Sequence, residues 1–540
     1  MEYRREAGIR AVEAAGVLVV LPLLVHFTLS WIGFNPTDDG FILAGARRIL
    51  AGQVPHRDFI SIRPAGSFLI HALEVRVGGD SVFMLSRLVF WFEIAVGAWC
   101  WVLLFEATRG HRFVPGIRGA LAAFVFALNA HVFPAMAWHS VDAATLTAVG
   151  LAVAARNTGA WKLAGFAVLG LAPVCRQNFL PVVPLGVFLL GGWRSVGCWA
   201  AAAVPMAGYA GAIAALGGWP DLRLQLGART DLVEPGFLAY ARLRDTWVGL
   251  AAGAAAAWTV SRQWARGVPG IPAKAGAVVA SAIAFAGAAA LWRGSIHGAS
   301  AFFLWGSAVG IAVVRSMTSP SGSVAAWLAA AAGWCVSVSF GYNTPVLLAG
   351  ALAVVPLVLA VEALEDARPR AGLALALSLA VLALASLWHA RRLHVYRDNP
   401  AATLTEELGG VLAGGRGIRT NPSTARLLAS LGEAEARCGS RPYAVVPDCA
   451  AWWVRAPGVN PLPADWLSNT EISRPELFMR VVRALEAGRG SRLVILEKWR
   501  VASIAWERRP MRSLADYSIA DYVRKAFRKT GETEYFEIFF

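Results

Sequence analysis

Apolar residues come in runs of roughly 15 to 25 through the first ~390 positions, the length that crosses a hydrocarbon core, with short polar loops between them. The runs fall at 11–34, 81–107, 119–135, 141–155, 162–175, 179–193, 196–216, 246–260, 275–291, 299–314, 323–340, 346–363 and 371–389. Several are short for a straight crossing, so the pattern predicts about 13 membrane helices, give or take one or two. Beyond 390 the pattern changes. Strand-like runs at 443–446, 493–496 and 535–540 alternate with helical periodicity at 401–414, 422–437 and 474–488. The last of these opens at Ser473 with Glu476 three residues on, a capping-box spacing. The expected architecture is a polytopic α-helical membrane protein (residues 1–390) followed by a small α/β domain (391–540).

Composition agrees with the pattern. Hydrophobic residues make up 57% and charged residues 16%, where a soluble domain would carry about a quarter charged. The net charge of +15 does not indicate nucleic-acid binding. Many of the arginines sit in short loops, among them Arg109, Arg112, Arg118, Arg156, Arg194, Arg315 and Arg368, where they set orientation. With Arg4, Arg5 and Arg10 ahead of a first helix too long for a signal-peptide core, the N-terminus is expected in the cytoplasm. An odd number of spans then places the C-terminal domain outside. Of six cysteines, Cys100, Cys175, Cys198 and Cys335 fall in or near apolar helices, and Cys438 and Cys449 could form a disulfide if their domain is extracytoplasmic.

The polar loops expected outside carry mixed acids, arginines, Trp and His. The first, 35–80, is the richest. It opens with Asp38-Asp39-Gly40, continues through an amphipathic run over 40–51, turns at 52–55, and then presents Arg57-Asp58 and Arg63-Pro64. Residues 65–80 are apolar but short, with Glu74 and Arg76 inside them, and suit an interfacial helix. The loop is thus expected to be two helices on the outer leaflet, with Arg47 and Arg48 toward headgroups. Charged groups at a membrane are costly unless they act. The acid pair suits a general base for an acceptor hydroxyl, or a ligand set for Mg or Mn; the plain alternative is helix capping by Thr37 or Asp38. Arg57 and Arg63 can each grip a phosphate or simply anchor to headgroups, and Asp58 lies between them.

Three other outside turns add candidates. Trp138-His139-Ser140-Val141-Asp142 offers a second acid or a substrate partner, with N-capping by Asp142 as the competing role. Arg176-Gln177-Asn178 places three large polar groups between apolar helices, suited to phosphate or sugar, or to a structural turn. Tyr342-Asn343 is a weaker signal, since Asn and Pro in a turn need no function. No P-loop, dinucleotide-binding glycine pattern, metal finger or serine-hydrolase elbow is present.

The first loop resembles that of the GT-C class of membrane glycosyltransferases, which includes the protein O-mannosyltransferases and the lipid A aminoarabinose transferases. The resemblance is carried by Asp38-Asp39-Gly40, Arg47-Arg48, Gly52, Pro55, Arg57-Asp58-Phe59 and Arg63-Pro64-Ala65-Gly66, and Arg176-Gln177-Asn178 looks like the basic-Gln-polar turn of bacterial relatives. It implies an inverting transfer of a sugar from a polyprenyl-phosphate donor to a cell-envelope acceptor (glycan, lipid or protein) at the outer face of a bacterial plasma membrane. It further implies Asp38 or Asp39 as base or metal ligand, Arg63 on the donor phosphate, and Asp142 as a second functional acid. The pair is Asp-Asp where the pattern has Asp-Glu, which leaves open which carboxylate is the base. Ala65 replaces the second proline beside Arg63. Two rival readings are a transporter or flippase of a lipid-linked glycan, for which related halves would be expected and none is visible, and a non-catalytic membrane protein with a cell-wall-binding C-terminal domain. The glycosyltransferase reading expects Asp38 or Asp39, Asp142, Arg63 and Arg176 to face one cavity.

Overall fold

The long apolar runs fold into helices that pack as a bundle. The computed structural model describes residues 2–130, 135–227, 236, 238–264, 271–294, 298–338, 344–365, 368–505, 507 and 510–540. The helices that form the bundle are α1 (Glu2–Ala15), α2 (Leu21–Leu29), α5 (Val82–Arg109), α6 (Ile117–Ala130), α7 (His139–Arg156), α8 (Gly159–Cys175), α9 (Val182–Leu189), α10 (Val196–Ala215), α12 (Arg244–Trp264), α13 (Ile271–Trp292), α14 (Ala299–Thr318), α15 (Pro320–Ser337), α16 (Ala349–Glu365) and α17 (Pro369–Leu393). Two shorter helices, α3 (Asp38–Leu50) and α4 (Gly66–Val77), lie in the first polar loop, and α11 (Trp219–Leu226) follows α10.

Among the described residues, seven helical stretches are long and apolar enough to cross a membrane, so the chain is a multi-pass membrane protein. The expected count of about 13 is not reached on that criterion. The difference has a physical source: α6, α8 and the stretch ending in α9 are apolar but run only 10–17 residues. Helix α16 sits at the centre, buried on all sides, whereas α10 lies at the periphery with its apolar side chains facing outward. Helices α12 and α14 approach each other backbone to backbone. A Cβ on Gly253 would stand 2.1 Å from the Ser307 carbonyl oxygen, and one on Gly310 2.1 Å from that of Leu250. Small residues are what permit such contact where no hydrophobic driving force separates helix from lipid.

The C-terminal part forms the expected α/β unit. Its sheet has the order β3–β4–β6–β5, built from Tyr443–Val446 (β3), Leu493–Glu497 (β4), Lys529–Glu532 (β5) and Phe536–Phe539 (β6). The β3–β4 pair is parallel, and helix α20 (Pro475–Ala487) lies in the connection that a parallel pair requires. Strand β4 is buried along its whole length, as its unbroken apolar run leads one to expect. Helix α18 (Pro422–Cys438) falls where periodicity places it.

Three local expectations fail. The helix at 401–414 does not form; 3-10 turns and a two-stranded ribbon, β1 (Glu406–Glu407) with β2 (Arg419–Thr420), take its place. Gly409, Gly410, Gly414 and Gly415 make a helix there unfavourable. Helix α20 starts at Pro475 with Arg474 at its N-cap, so Ser473 and Glu476 do not form the capping box; proline at the first helical position sets the start instead. Cys438 and Cys449 are both buried and unbridged.

The C-terminal unit clasps the first polar loop. The Gly33 N–H donates to the Arg419 carbonyl at 2.9 Å, and the Arg419 N–H donates to that of Trp31 at 2.8 Å. The Ala451 N–H donates to Pro36 O at 2.9 Å. Helix α3 is consequently buried between bundle and C-terminal unit, not laid on a leaflet. Arg48, expected among headgroups, is 1% exposed and forms a two-point ion pair with Asp465 at 2.6 and 2.8 Å. Helix α4 has two distinct faces: His71, Glu74 and Val75 face inward while the apolar Leu69, Leu73 and Val77 are exposed. Gly40 makes the α3 contact possible, because a Cβ there would lie 2.1 Å from Ala451 N. Gly40→Ala should therefore push the C-terminal unit off α3 and cost about 3 kcal/mol. Thermal unfolding in detergent, with limited proteolysis of the 394–442 connection, checks this; an unchanged melt and cleavage pattern would contradict it.

Candidate active site at one end of the bundle

The segment between α2 and α3 is shaped by Asn35. Its side-chain oxygen accepts from the Thr37 N–H at 3.2 Å and the Asp38 N–H at 2.9 Å, which caps the start of α3. Neither Thr37 nor Asp38 provides the cap, so Asp38 is free for other contacts. The two aspartates are consecutive on a helix, about 100° apart around its axis, and they find different partners.

Asp39 turns into the bundle and is 3% exposed. One oxygen accepts from the Asn35 N–H and the other from Arg87, each at 2.9 Å. Arg87, on α5, also donates to the carbonyls of Ser30 and Gly33. Burial pushes the Asp39 carboxyl up from its ordinary value, while Arg87 pulls it the other way. Asp38 turns toward the chain that leaves α17. It accepts from the Tyr396 hydroxyl and from Arg397, both at 2.8 Å. It is 2% exposed, but the Arg397 side chain that covers it is 32% exposed.

A small cleft of about 20 Å³ opens beside Asp39. Its lining combines Asp39, Arg87, Arg391 and Tyr396 with the apolar Leu29, Ile32, Phe34, Ala135 and Val395. Arg391 lies over the Trp91 ring at 5.3 Å and donates to Ala130 O. No carboxylate among the described residues pairs with Arg391. The lining therefore brings two arginines and a carboxylate together with apolar side chains.

The remaining predicted residues form neighbouring groups and do not line this cleft. Arg63 is ion-paired to Glu471 of the C-terminal unit at 2.8 Å and stacks on Phe41, 5.5 Å away. His139 packs against Phe41 and Phe68, and Trp466 closes on Phe41 from the other side. Arg176 donates to Ser140. Gln177 holds the Ile62 carbonyl at 2.9 Å, and Asn178 is half-buried beside it. Asp142 does not cap α7, which starts at His139; its Oδ1 lies 3.1 Å from His71 Nε2 instead. Arg57 and Asp58 pair with each other near the surface, and Asp58 also caps the Val54 N–H at 2.7 Å. Tyr342 and Asn343 lie outside the described residues. The expected meeting of Asp38 or Asp39 with Asp142, Arg63 and Arg176 in one cavity is thus divided among adjacent clusters linked through α3.

Asp39 has both oxygens taken by an N–H and an arginine, and Asp38 accepts from an arginine and a hydroxyl through Oδ2, so a Mg or Mn ion shared by the pair would compete with Arg87 and Arg397 for these carboxylates. Sequence reasoning missed Arg87, Arg391, Tyr396 and Arg397. The first two lie near the ends of apolar helices, Arg391 next to Arg392, where a base reads as an orienting or anchoring charge. The other two open the run Tyr396-Arg397-Asp398-Asn399, and so dense a polar cluster immediately after the last apolar span was a usable signal.

The unequal environments of the pair give a testable contrast. Asp39→Asn leaves Arg87 buried without its counter-charge and should cost about 3–5 kcal/mol. Asp38→Asn removes hydrogen bonds at a partly open edge and should cost about 1 kcal/mol. Denaturant or thermal unfolding of the two variants should show that order; equal losses, or the reverse, would contradict the assignment of Asp39 as the anchor.

Neither a family model nor any curated protein matches the sequence. Among solved structures, the chain is similar to ArnT from Cupriavidus metallidurans bound to undecaprenyl phosphate, with a TM-score of 0.45 and 13% identity over 97% of both chains. It is also similar to the oligosaccharyltransferase of Archaeoglobus fulgidus in complex with Zn and sulfate, with a TM-score of 0.46 and 14% identity over 98% of this chain and 72% of that one. At such identities and scores neither assigns a chemistry to this chain.

Proposed function

We propose that the chain is a membrane glycosyltransferase of GT-C type, moving a sugar from a polyprenyl-phosphate donor to a cell-envelope acceptor, with Asp38 as the base. The N-terminus is then cytoplasmic, and the cleft and C-terminal unit face the outside. The reading rests above all on the cleft beside Asp39, whose lining brings Arg87 and Arg391 together with apolar side chains. A lipid phosphate presents the complementary surface: an anionic head on an apolar neck. Leu24 and Phe27, on the same helix α2 as the lining residue Leu29, are exposed and apolar.

The chemistry follows from these placements. The acceptor hydroxyl attacks the anomeric carbon and loses its proton to a carboxylate. The bond between that carbon and the phosphate oxygen breaks, and the polyprenyl phosphate leaves with an added negative charge. Arg391, which pairs with no carboxylate among the described residues, is the cation placed where that charge develops, and low dielectric strengthens its effect. Because the leaving group is already a phosphate ester, no nucleotide is required outside the cell. Asp38 is favoured over Asp39 as the base for a structural reason. Asp39 is committed to Arg87 and the Asn35 N–H, whereas the Arg397 that covers Asp38 sits on a partly exposed connection and can yield to an acceptor. Arg63, paired to Glu471, would have to give up that partner to bind phosphate, so the donor phosphate is assigned to Arg391.

The test is a transfer assay on reconstituted protein with a panel of polyprenyl-phosphate sugars. Wild type should transfer one of them. Asp38→Asn should lower kcat by about 10²–10⁴-fold with little change in KM for the donor. Arg391→Gln should raise that KM. Full transfer by folded Asp38→Asn protein would overturn the mechanism. Movement of a lipid-linked glycan across vesicles without transfer would favour the carrier reading.

A further inference from the structure

A second polar cluster lies inside the bundle, apart from the acid pair. It joins His71 of α4, Glu93 of α5 and Asp142 of α7, whose ligand atoms lie within 4.8 Å of one another. His71 and Asp142 are fully enclosed. On its other nitrogen, His71 meets Glu74 at 2.6 Å. The cluster thus sets three carboxylates around one imidazole, in a region of apolar helices.

Three observations point to a missing partner. Asp142 Oδ2, Glu93 Oε2 and Glu74 Oε2 are buried and meet no donor group, and the Glu93 and Asp142 carboxyls lie against each other, where a shared proton or a cation is needed to satisfy both. Buried polar atoms are ordinarily satisfied, and unpaired carboxylate oxygens are among the costliest exceptions. Next, no lysine or arginine among the described residues makes an ion pair with these carboxylates; their only cationic neighbour within ion-pair distance is His71 itself. Three acids against one imidazole leave the cluster short of positive charge, which is expensive at membrane depth. Finally, the placement of Glu74 is specific. A metal-binding histidine usually donates its second ring N–H to a carboxylate, which fixes the tautomer and aims the other nitrogen at the ion. Glu74 stands at Nδ1 in that role, and Nε2 points to Asp142.

We propose that His71, Glu93 and Asp142 bind one divalent transition-metal ion, zinc in type, with Glu74 orienting the imidazole. One nitrogen and two carboxylate ligands suit zinc, with a fourth position left for water or a further group. Ligand bonds of about 2.0–2.1 Å bring donor atoms to roughly 3.3 Å from one another, so binding draws the set inward through side-chain rotation. The three ligands come from three helices. The ion therefore pins α4 to α5 and α7, and with it the inner face on which Phe68 and His139 pack against Phe41 of α3. This site is independent of the transfer reaction proposed above and stands or falls separately.

The experiment uses tag-free, full-length protein in detergent, stripped with a chelator, loaded with zinc chloride and desalted. Zinc content is measured by mass spectrometry. Wild type should retain about one ion per chain and melt at a higher temperature with zinc than without. The double variant His71→Ala/Glu93→Gln should retain at least about tenfold less and lose the zinc-dependent rise in Tm. Asp38→Asn should retain zinc as wild type does. Absence of zinc in loaded wild type would overturn the proposal and leave a proton-sharing network, and retention by the double variant would show an adventitious ion only. X-ray absorption on the loaded wild type covers the case in which the double variant fails to fold. A shell of oxygens with a single imidazole supports the site; sulfur ligands or several imidazoles refute it.

Discussion

The buried pair of Arg87 and Asp39 holds the end of the bundle in shape. Arg87 enters from a membrane helix, and its guanidinium reaches the Ser30 and Gly33 carbonyls together with the Asp39 carboxylate. One cation thereby closes the turn after α2 and fixes the start of α3. Breaking such a pair from one side leaves a buried charge uncompensated, which is far costlier than losing a surface bridge. The course of residues 30–40 follows from it, and so does the surface on which the C-terminal unit docks.

That docking gives the site its second wall. Gly40 admits the backbone at Ala451, Arg48 locks to Asp465, and Arg63 locks to Glu471. The Phe34 N–H donates to Asp398 at 3.0 Å, and this ties the loop to the same connection that brings Tyr396 and Arg397 onto Asp38. The loop's own charges are thus largely spent on holding two parts of the chain together. The two arginines that line the cleft, Arg87 and Arg391, come from membrane helices; Arg87 is paired to Asp39, which leaves Arg391 without a carboxylate partner among the described residues. At the opposite end, arginines whose loop positions suggest an orienting role are also paired: Arg118 with Glu106, and Arg315 with Glu362.

Much of this was legible in the sequence. The density of charge in 35–66, the short helix within 65–80 and the strands at 443–446 and 493–496 all come from patterns that local chemistry enforces. What was not legible depends on distance. Arg48 looks like a headgroup anchor until Asp465, more than four hundred positions away, is folded onto it. Arg63 looks free until Glu471 arrives. Polar β5 was missed because its Lys-Thr-Gly-Glu sequence carries no apolar alternation; it is an exposed edge strand. His71 and Glu93 were passed over because each is flanked in sequence by apolar residues, and only the packing of α4, α5 and α7 brings them to Asp142.

The central claim is that a lipid phosphate seats in the cleft beside Asp39. The most direct measurement is a cryo-electron-microscopy structure of the full chain in lipid nanodiscs with a polyprenyl phosphate added. The account predicts phosphate density within hydrogen-bond distance of Arg391 or Arg87, with the lipid chain leaving along α2. Phosphate density at Arg63 and Arg176, with this cleft unchanged, would contradict it.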